Sequence, residues 1–123
     1  MSMNIETVEQ LVEYRTVQTW LKGVRQQSSA STTTDDDRLS TLLKFCSLAE
    51  KDPDTIIAEC FRAPKEGDVW KRIKFKTRRT YSALIDQAEA QLFGGGTAGR
   101  QRGSIIRSFF IHNGVSMQAE PLR

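Results

Sequence analysis

The sequence is poor in the residues that most often carry catalysis and bind metals. Its 123 residues include one histidine, His112, and two cysteines, Cys46 and Cys60. These are too few for a structural zinc site, and no second histidine is present to form a pair. Tyr14 and Tyr81 fall on helical apolar stripes, where a tyrosine is more often core or rim than a nucleophile. We therefore expect a chain that is not an enzyme and has no cofactor, no metal and no small-molecule substrate.

Long apolar runs are also missing. No segment approaches the roughly 20 apolar residues that a membrane-spanning helix requires, and the N-terminus lacks the charged-then-apolar order of a signal peptide. These absences predict a cytoplasmic protein of one domain with no membrane partner. In that compartment we expect Cys46 and Cys60 to be reduced thiols in the core rather than a disulfide.

Strand patterns are absent too, because the apolar residues recur at every third or fourth position instead of alternating. We expect an all-α fold, a compact bundle of about five helices with short loops. The spacing predicts a first helix over about 4–26 with a break near Tyr14, and a second helix capped by Thr34 or Asp35. A short third helix should start at Asp52 and Pro53. A basic fourth helix is predicted over about 68–93, and a fifth from its cap at Thr97 to about Asn113.

Glycine marks two predicted boundaries. The triplet at 94–96 should stop the fourth helix, and Gly114 should end the last helix in a left-handed conformation. The letters GGGTAG at 94–99 also match the G-x-G-x-x-G pattern of dinucleotide sites. That pattern binds a pyrophosphate only where a strand leads into the loop, whereas here a helix precedes it. The segment is therefore interpreted as a helix–helix joint.

Charge is distributed unevenly along the chain. Residues 1–61 carry six lysines and arginines against ten acidic residues, whereas residues 62–107 carry eleven against four. Such asymmetry is typical of a protein with one face that meets a polyanion. Seven of these eleven basic residues fall in two groups, which we interpret as DNA contacts: Lys74, Lys76, Arg78 and Arg79 in the fourth helix, and Arg100, Arg102 and Arg107 in the fifth.

The fifth helix also carries hydrogen-bonding side chains in its first turns. Thr97, Gln101 and Ser104 interleave with the arginines, and Arg100, Ser104 and Arg107 share one face by their spacing. Such residues can contact phosphates and base edges in a major groove while the isoleucine and phenylalanine face packs on the core. Double-stranded DNA is therefore the expected partner.

Three segments in this order resemble the N-terminal core-binding domain of archaeal-type phage integrases, which are tyrosine recombinases with a SAM-like helical fold. They are WLKGVR at 20–25, LLKFC at 42–46 with KDPD at 51–54, and IIRSFFIHNGV at 105–115. The resemblance covers about residues 15–118. It divides the chain into an N-terminal helical extension at 1–14, a core-binding domain at 15–114, and a linker or tail at 115–123 that leads toward a catalytic domain.

The resemblance implies that this domain holds a recombination site while a separate catalytic domain cleaves it. The family's catalytic His-x-x-Arg is not matched, because Val115 stands three residues after His112. Other recombinase protomers are a further implied partner. The second and last helices would face the major groove, which assigns DNA contacts to Thr34, Arg38, Thr41 and Lys44 and to Thr97, Arg100, Gln101, Ser104 and Arg107.

The sequence departs from the family pattern where the second helix begins. Three aspartates at 35–37 stand where that helix is usually basic. Because carboxylates repel phosphates, we expect DNA contacts from the last helix more than from the second. Two other hypotheses remain open: a helical protein-interaction module, because a fold does not fix function, and a small DNA-binding regulator related to helix-turn-helix proteins, which would bind a palindromic site as a dimer.

Overall fold

The computed structural model describes residues 7–27, 34–61 and 73–117, and it confirms the all-α prediction. Within these residues the chain forms six helices and no strand; an isolated antiparallel bridge joins Phe61 to Ile73. The helices are α1 (Val8–Leu11), α2 (Arg15–Gln27), α3 (Asp35–Ala49), α4 (Pro53–Glu59), α5 (Phe75–Gln91) and α6 (Gly96–His112).

Local capping signals set the starts of three of the six described helices, α1, α3 and α4. The Thr34 side chain accepts a hydrogen bond from the Asp37 amide at 3.1 Å and caps α3. Asp52 does the same for α4, accepting from the Thr55 amide at 2.7 Å, and Pro53 occupies the first helical position. The predicted break near Tyr14 is confirmed, since α1 and α2 are separate helices. It makes six helices rather than about five.

Two predicted starts are wrong. α5 begins at Phe75, because Lys74 is extended and its amide donates to the Cys60 carbonyl at 2.7 Å, which ties this segment to the end of α4. The predicted part of that helix at 68–72 lies outside the described residues. Thr97 does not cap α6 either. Gly95 is the N-cap residue with a φ of 69°, a conformation that glycine adopts without steric cost.

α6 is the central helix, and it packs against α2, α3 and α5. Its Phe109 and Phe110 lie in an aromatic cluster, with the Phe109 ring 5.5 Å from Trp20 and the Phe110 ring 6.1 Å from Phe45 and 5.7 Å from Tyr81. All of these side chains are buried. The buried indole also satisfies its N–H, which donates to Ser108 Oγ at 3.1 Å.

Other predicted core positions have mixed outcomes. Cys46 and Cys60 are buried free thiols, as predicted. Val12 and Leu92 continue the apolar spacing of three and four residues that predicts burial, but they are 38% and 40% exposed because they fall at helix ends. Val115 and Met117 are buried, so the core continues past Gly114, whose φ of 89° confirms the predicted left-handed stop.

Glycine lets α5 and α6 approach closely. A Cβ atom at Gly99 would lie 2.5 Å from the backbone carbonyl oxygen of Glu89, and one at Gly103 would overlap the Glu89 carboxylate. The two glycines are four residues apart and therefore lie on the same side of α6. This contact fixes which face of α6 is covered by α5, and so which face remains available to a ligand.

Candidate nucleic-acid interface

The exposed face of α6 carries four of the predicted DNA contacts. Thr97, Arg100, Gln101 and Ser104 are all exposed. At 100° per residue their spacing of three and four places them in one stripe along the first two turns. None of the ion pairs within the described residues involves Arg100. Its guanidinium is therefore available to an anion.

Arg107 was predicted for the same face, and the structure places it elsewhere. Its side chain is 6% exposed, with Nη1 2.8 Å from Glu89 Oε2 and Nη2 2.9 Å from Asp86 Oδ1. The side chain is thus clamped between α5 and α6 instead of facing solvent. Arg100 lies seven residues earlier, about 10 Å along the helix, close to where α5 ends, so the same edge of α6 is covered at Arg107 and open at Arg100.

Three further predicted contacts lie between α3 and α6 or within α3. Arg102 Nη1 donates to Thr41 Oγ1 at 3.2 Å and lies 3.9 Å from the Asp37 carboxylate. Thr41 is buried. Arg38 is also buried, and its Nη1 lies 3.0 Å from Asp35 Oδ1. Arg38 and Thr41 are therefore not presented to a ligand, and Arg102 is engaged in holding α6 on α3.

The remaining predicted contacts of α3 are exposed. Thr34 is exposed, but its side chain caps the helix. Lys44 is exposed, and its Nζ lies 5.8 Å from the centre of the Phe93 ring in the α5–α6 joint. Lys44 therefore lies near the end of the bundle from which α6 starts, where it adds positive potential near Arg100.

The aspartates at the start of α3 are partly neutralised. Asp35 receives hydrogen bonds from Arg25 at 2.8 Å and from Arg38 at 3.0 Å, and the Arg25 bond is the main reason that the pKa of Asp35 is lowered. Asp36 remains exposed. Asp35 therefore forms ion pairs with Arg25 of α2 and Arg38 of α3. The aspartates also stabilise the positive N-terminal end of the α3 dipole, and they are not suited to binding a phosphate.

The basic residues of α5 form a separate group at the opposite end of the α5–α6 pair. Lys74, Lys76 and Arg79 are exposed, and Arg78 is partly exposed. α5 and α6 are antiparallel, with Tyr81 level with Phe110 and Glu89 beside Gly99. The α5 cations thus lie beyond the C-terminal end of α6, roughly 18 Å from Arg100 at 1.5 Å per residue. The structure does not bring the two predicted groups together.

A residue that the sequence analysis missed lies among the α5 cations. Phe75 is 58% exposed, and the Arg78 guanidinium lies over its ring, 5.1 Å from the centroid. The available sequence signal was a single aromatic residue flanked by Lys74 and Lys76.

His112 and Tyr81 have structural partners. His112 Nδ1 lies 2.9 Å from the Ser108 carbonyl oxygen, and the imidazole packs against Gly23. The Tyr81 hydroxyl donates a short hydrogen bond to Glu59, and Lys51 Nζ lies 2.9 Å from the same carboxylate. Burial and this bond raise the pKa of Tyr81.

Comparison with known proteins adds no family. The chain matches no protein-family model, and no curated protein or solved structure is significantly similar to it. Among the described helices, none has the length and apolar character needed to cross a bilayer. In the same residues no group of three histidine, cysteine or acidic side chains is placed to hold a metal ion.

Proposed function

We propose that this chain is a DNA-binding module of the kind that holds the recombination site for a tyrosine recombinase, without catalytic groups of its own. The observation that carries the proposal is the exposed stripe of Thr97, Arg100, Gln101 and Ser104 on the first turns of α6. The proposed role in recombination rests on the resemblance of three sequence segments to integrase core-binding domains.

The stripe has suitable chemistry for a groove of duplex DNA. Arginine and glutamine are the side chains that most often form paired hydrogen bonds with guanine and adenine edges, while threonine and serine donate to phosphates. A helix with side chains is about 10–12 Å across, which fits the major groove. Because the other sides of α6 are packed against α2, α3 and α5, this face is the one that can enter.

Electrostatic attraction should dominate the affinity. Arg38 and Arg107 are engaged by carboxylates, so the number of neutralised phosphates is smaller than the full set of predicted cations suggests. With about three phosphates neutralised, log K should fall with log salt with a slope of about −3.

A titration of a fluorescently labelled duplex at several salt concentrations tests the proposal. Arg100→Ala should weaken binding and reduce the salt slope by about one, because it removes a cation that no acidic residue of the described chain engages. Lys22→Ala is the matched control: Lys22 is exposed on α2, on the side opposite the buried Trp20, and its loss should leave the slope unchanged. Salt-independent binding, or an equal effect of both variants, would contradict the proposal.

Sequence preference is the second part of the test. Selection of bound duplexes from a randomised pool should enrich one motif, and Gln101→Ala should relax the preference at one position by about 1–3 kcal/mol. A pool that remains random after selection would remove the site-holding role and leave only general affinity for a polyanion.

A further inference from the structure

The start of α5 carries an exposed aromatic ring surrounded by cations. We call Phe75 together with Lys74, Lys76, Arg78 and Arg79 the Phe75 patch. At 58% exposed, Phe75 is the most exposed large apolar side chain of the described residues, and the Arg78 guanidinium lies 5.1 Å from its ring centre. The patch therefore combines a planar apolar surface, a planar cation and three further cations, and the α6 stripe does not use it.

Helix stability does not explain this composition. The positive end of the helix dipole disfavours cations, yet Lys76, Arg78 and Arg79 lie in the first turns of α5, and its first turn holds no acidic residue. By contrast α3 and α4 start with aspartates and a side-chain cap. Exposure of a phenylalanine is a further cost. Cations at a helix N-terminus and an exposed phenylalanine both oppose local stability, and such features occurring together are typical of functional sites.

Among the described residues, the charges that face the patch leave it positive. Neither α6 nor the described residues after it carry an acidic side chain, and Asp86 of α5 is bound to Arg107. Glu59 of α4 lies near Lys74. Burial raises the pKa of Glu59, but hydrogen bonds from Tyr81 and Lys51, with a smaller contribution from the Lys74 charge, lower it overall. That carboxylate is bonded mainly to Tyr81 and Lys51, so it offsets the charge of Lys74 only in part and leaves Lys76, Arg78 and Arg79 uncompensated.

We propose that the Phe75 patch binds a single-stranded segment of DNA, with an unpaired base stacked on Phe75 and phosphates on the surrounding lysines and arginines. Aromatic rings set in a positive surface bind single strands in this way, whereas the bases of an intact duplex are stacked on one another and offer no face to a ring. The inference rests on the proposed function in taking DNA as the ligand. It adds a second site, roughly 18 Å along the helix pair from Arg100.

Two other partners fit the patch less well. An acidic peptide would pair with the cations but would have no need of an exposed ring beside them. A membrane surface requires a continuous apolar face along a helix, and the other residues in the first turns of α5 are basic or polar.

The test compares a blunt duplex with the same duplex carrying a six-thymidine tail, by fluorescence anisotropy on the full chain. The unmodified protein should bind the tailed probe more tightly, by about fivefold to a hundredfold, which is the range for one stacked base. Phe75→Ala should lose that preference, Phe75→Leu should lose most of it, and Phe75→Trp should keep it. Leu92→Ala, which removes another exposed apolar side chain, should keep it too.

The outcomes separate this inference from the proposed function. Arg100→Ala should weaken both probes equally and leave the tail preference intact. Equal binding of both probes by the unmodified protein, or a preference that survives Phe75→Ala in a variant with an unchanged circular dichroism spectrum, overturns the inference. Displacement of the tail by polyglutamate, but not by free oligothymidine, also overturns it. Tail binding that depends on Phe75 supports it even if duplex binding proves absent.

Discussion

Replacing Arg107 by alanine should destabilise the fold while leaving the α6 stripe chemically intact. The guanidinium is 6% exposed and lies within 3 Å of carboxylate oxygens of Asp86 and Glu89. Its Nε is also the one buried side-chain nitrogen or oxygen of the described chain without a hydrogen-bond partner. The buried guanidinium is therefore held by two ion pairs, one with the largely buried Glu89 and one with the more exposed Asp86.

The expected loss of unfolding free energy follows from the burial of the two carboxylates. Removing one partner of a buried ion pair costs about 3–5 kcal/mol, because the other charge is left without compensation. The Glu89 side chain is 19% exposed and takes most of that penalty, whereas the Asp86 side chain is 52% exposed and is solvated when its partner is lost. We therefore expect the lower end, about 3 kcal/mol, or a fall in melting temperature of roughly 10 °C for a domain of this size.

Thermal and urea denaturation followed by circular dichroism measure this directly. Arg100→Ala is the control, and it should change the free energy of unfolding by no more than about 0.5 kcal/mol, because the side chain is exposed. The double variant Arg107→Ala with Glu89→Ala should cost less than the sum of the two single variants, because it removes both charges. An Arg107→Ala protein of unchanged melting temperature and weakened DNA binding would refute the buried placement of this arginine.

Two further predictions concern packing and thiol chemistry. Gly99→Ala should lower the free energy of unfolding by about 1–3 kcal/mol despite the better helix propensity of alanine, because its Cβ would meet the Glu89 backbone; Ser104→Ala is the exposed control, and equal melting temperatures would contradict the close contact. Burial raises the pKa of Cys46 to about 12 and that of Cys60 to about 11. Neither thiol should react with an aromatic disulfide reagent at pH 8 until the protein unfolds, and rapid modification of the native protein would contradict their burial.

The sequence was informative about features that a few neighbouring residues determine. The caps at Thr34 and Asp52 and the left-handed stop at Gly114 depend on local side-chain and backbone chemistry, so they could be predicted. The start of α5 could not, because a hydrogen bond from Lys74 to Cys60 holds the chain extended there, and this bond depends on tertiary structure.

In the candidate site, too, some features depend on local sequence and others on tertiary structure. Periodicity placed Arg100, Ser104 and Arg107 on one face of the helix; Arg100 and Ser104 are exposed there, whereas Arg107 is buried. The exclusion of Arg107 depends on which helix covers the neighbouring edge, and charge patterning does not carry that information. A partial signal was present in Gly99 and Gly103, because two glycines four residues apart indicate a close helix contact on that side.

The central position of α6 has a consequence for how the proposed binding preference could change. The residues on the packed sides of the helix are fixed by the core, while positions 97, 100, 101 and 104 are exposed. Substitutions confined to these four positions should alter which ligand is preferred at little cost in folding. Under the proposed function, binding preference and folding would depend on different residues of one helix, and α6 would be suitable for directed evolution of new binding preferences.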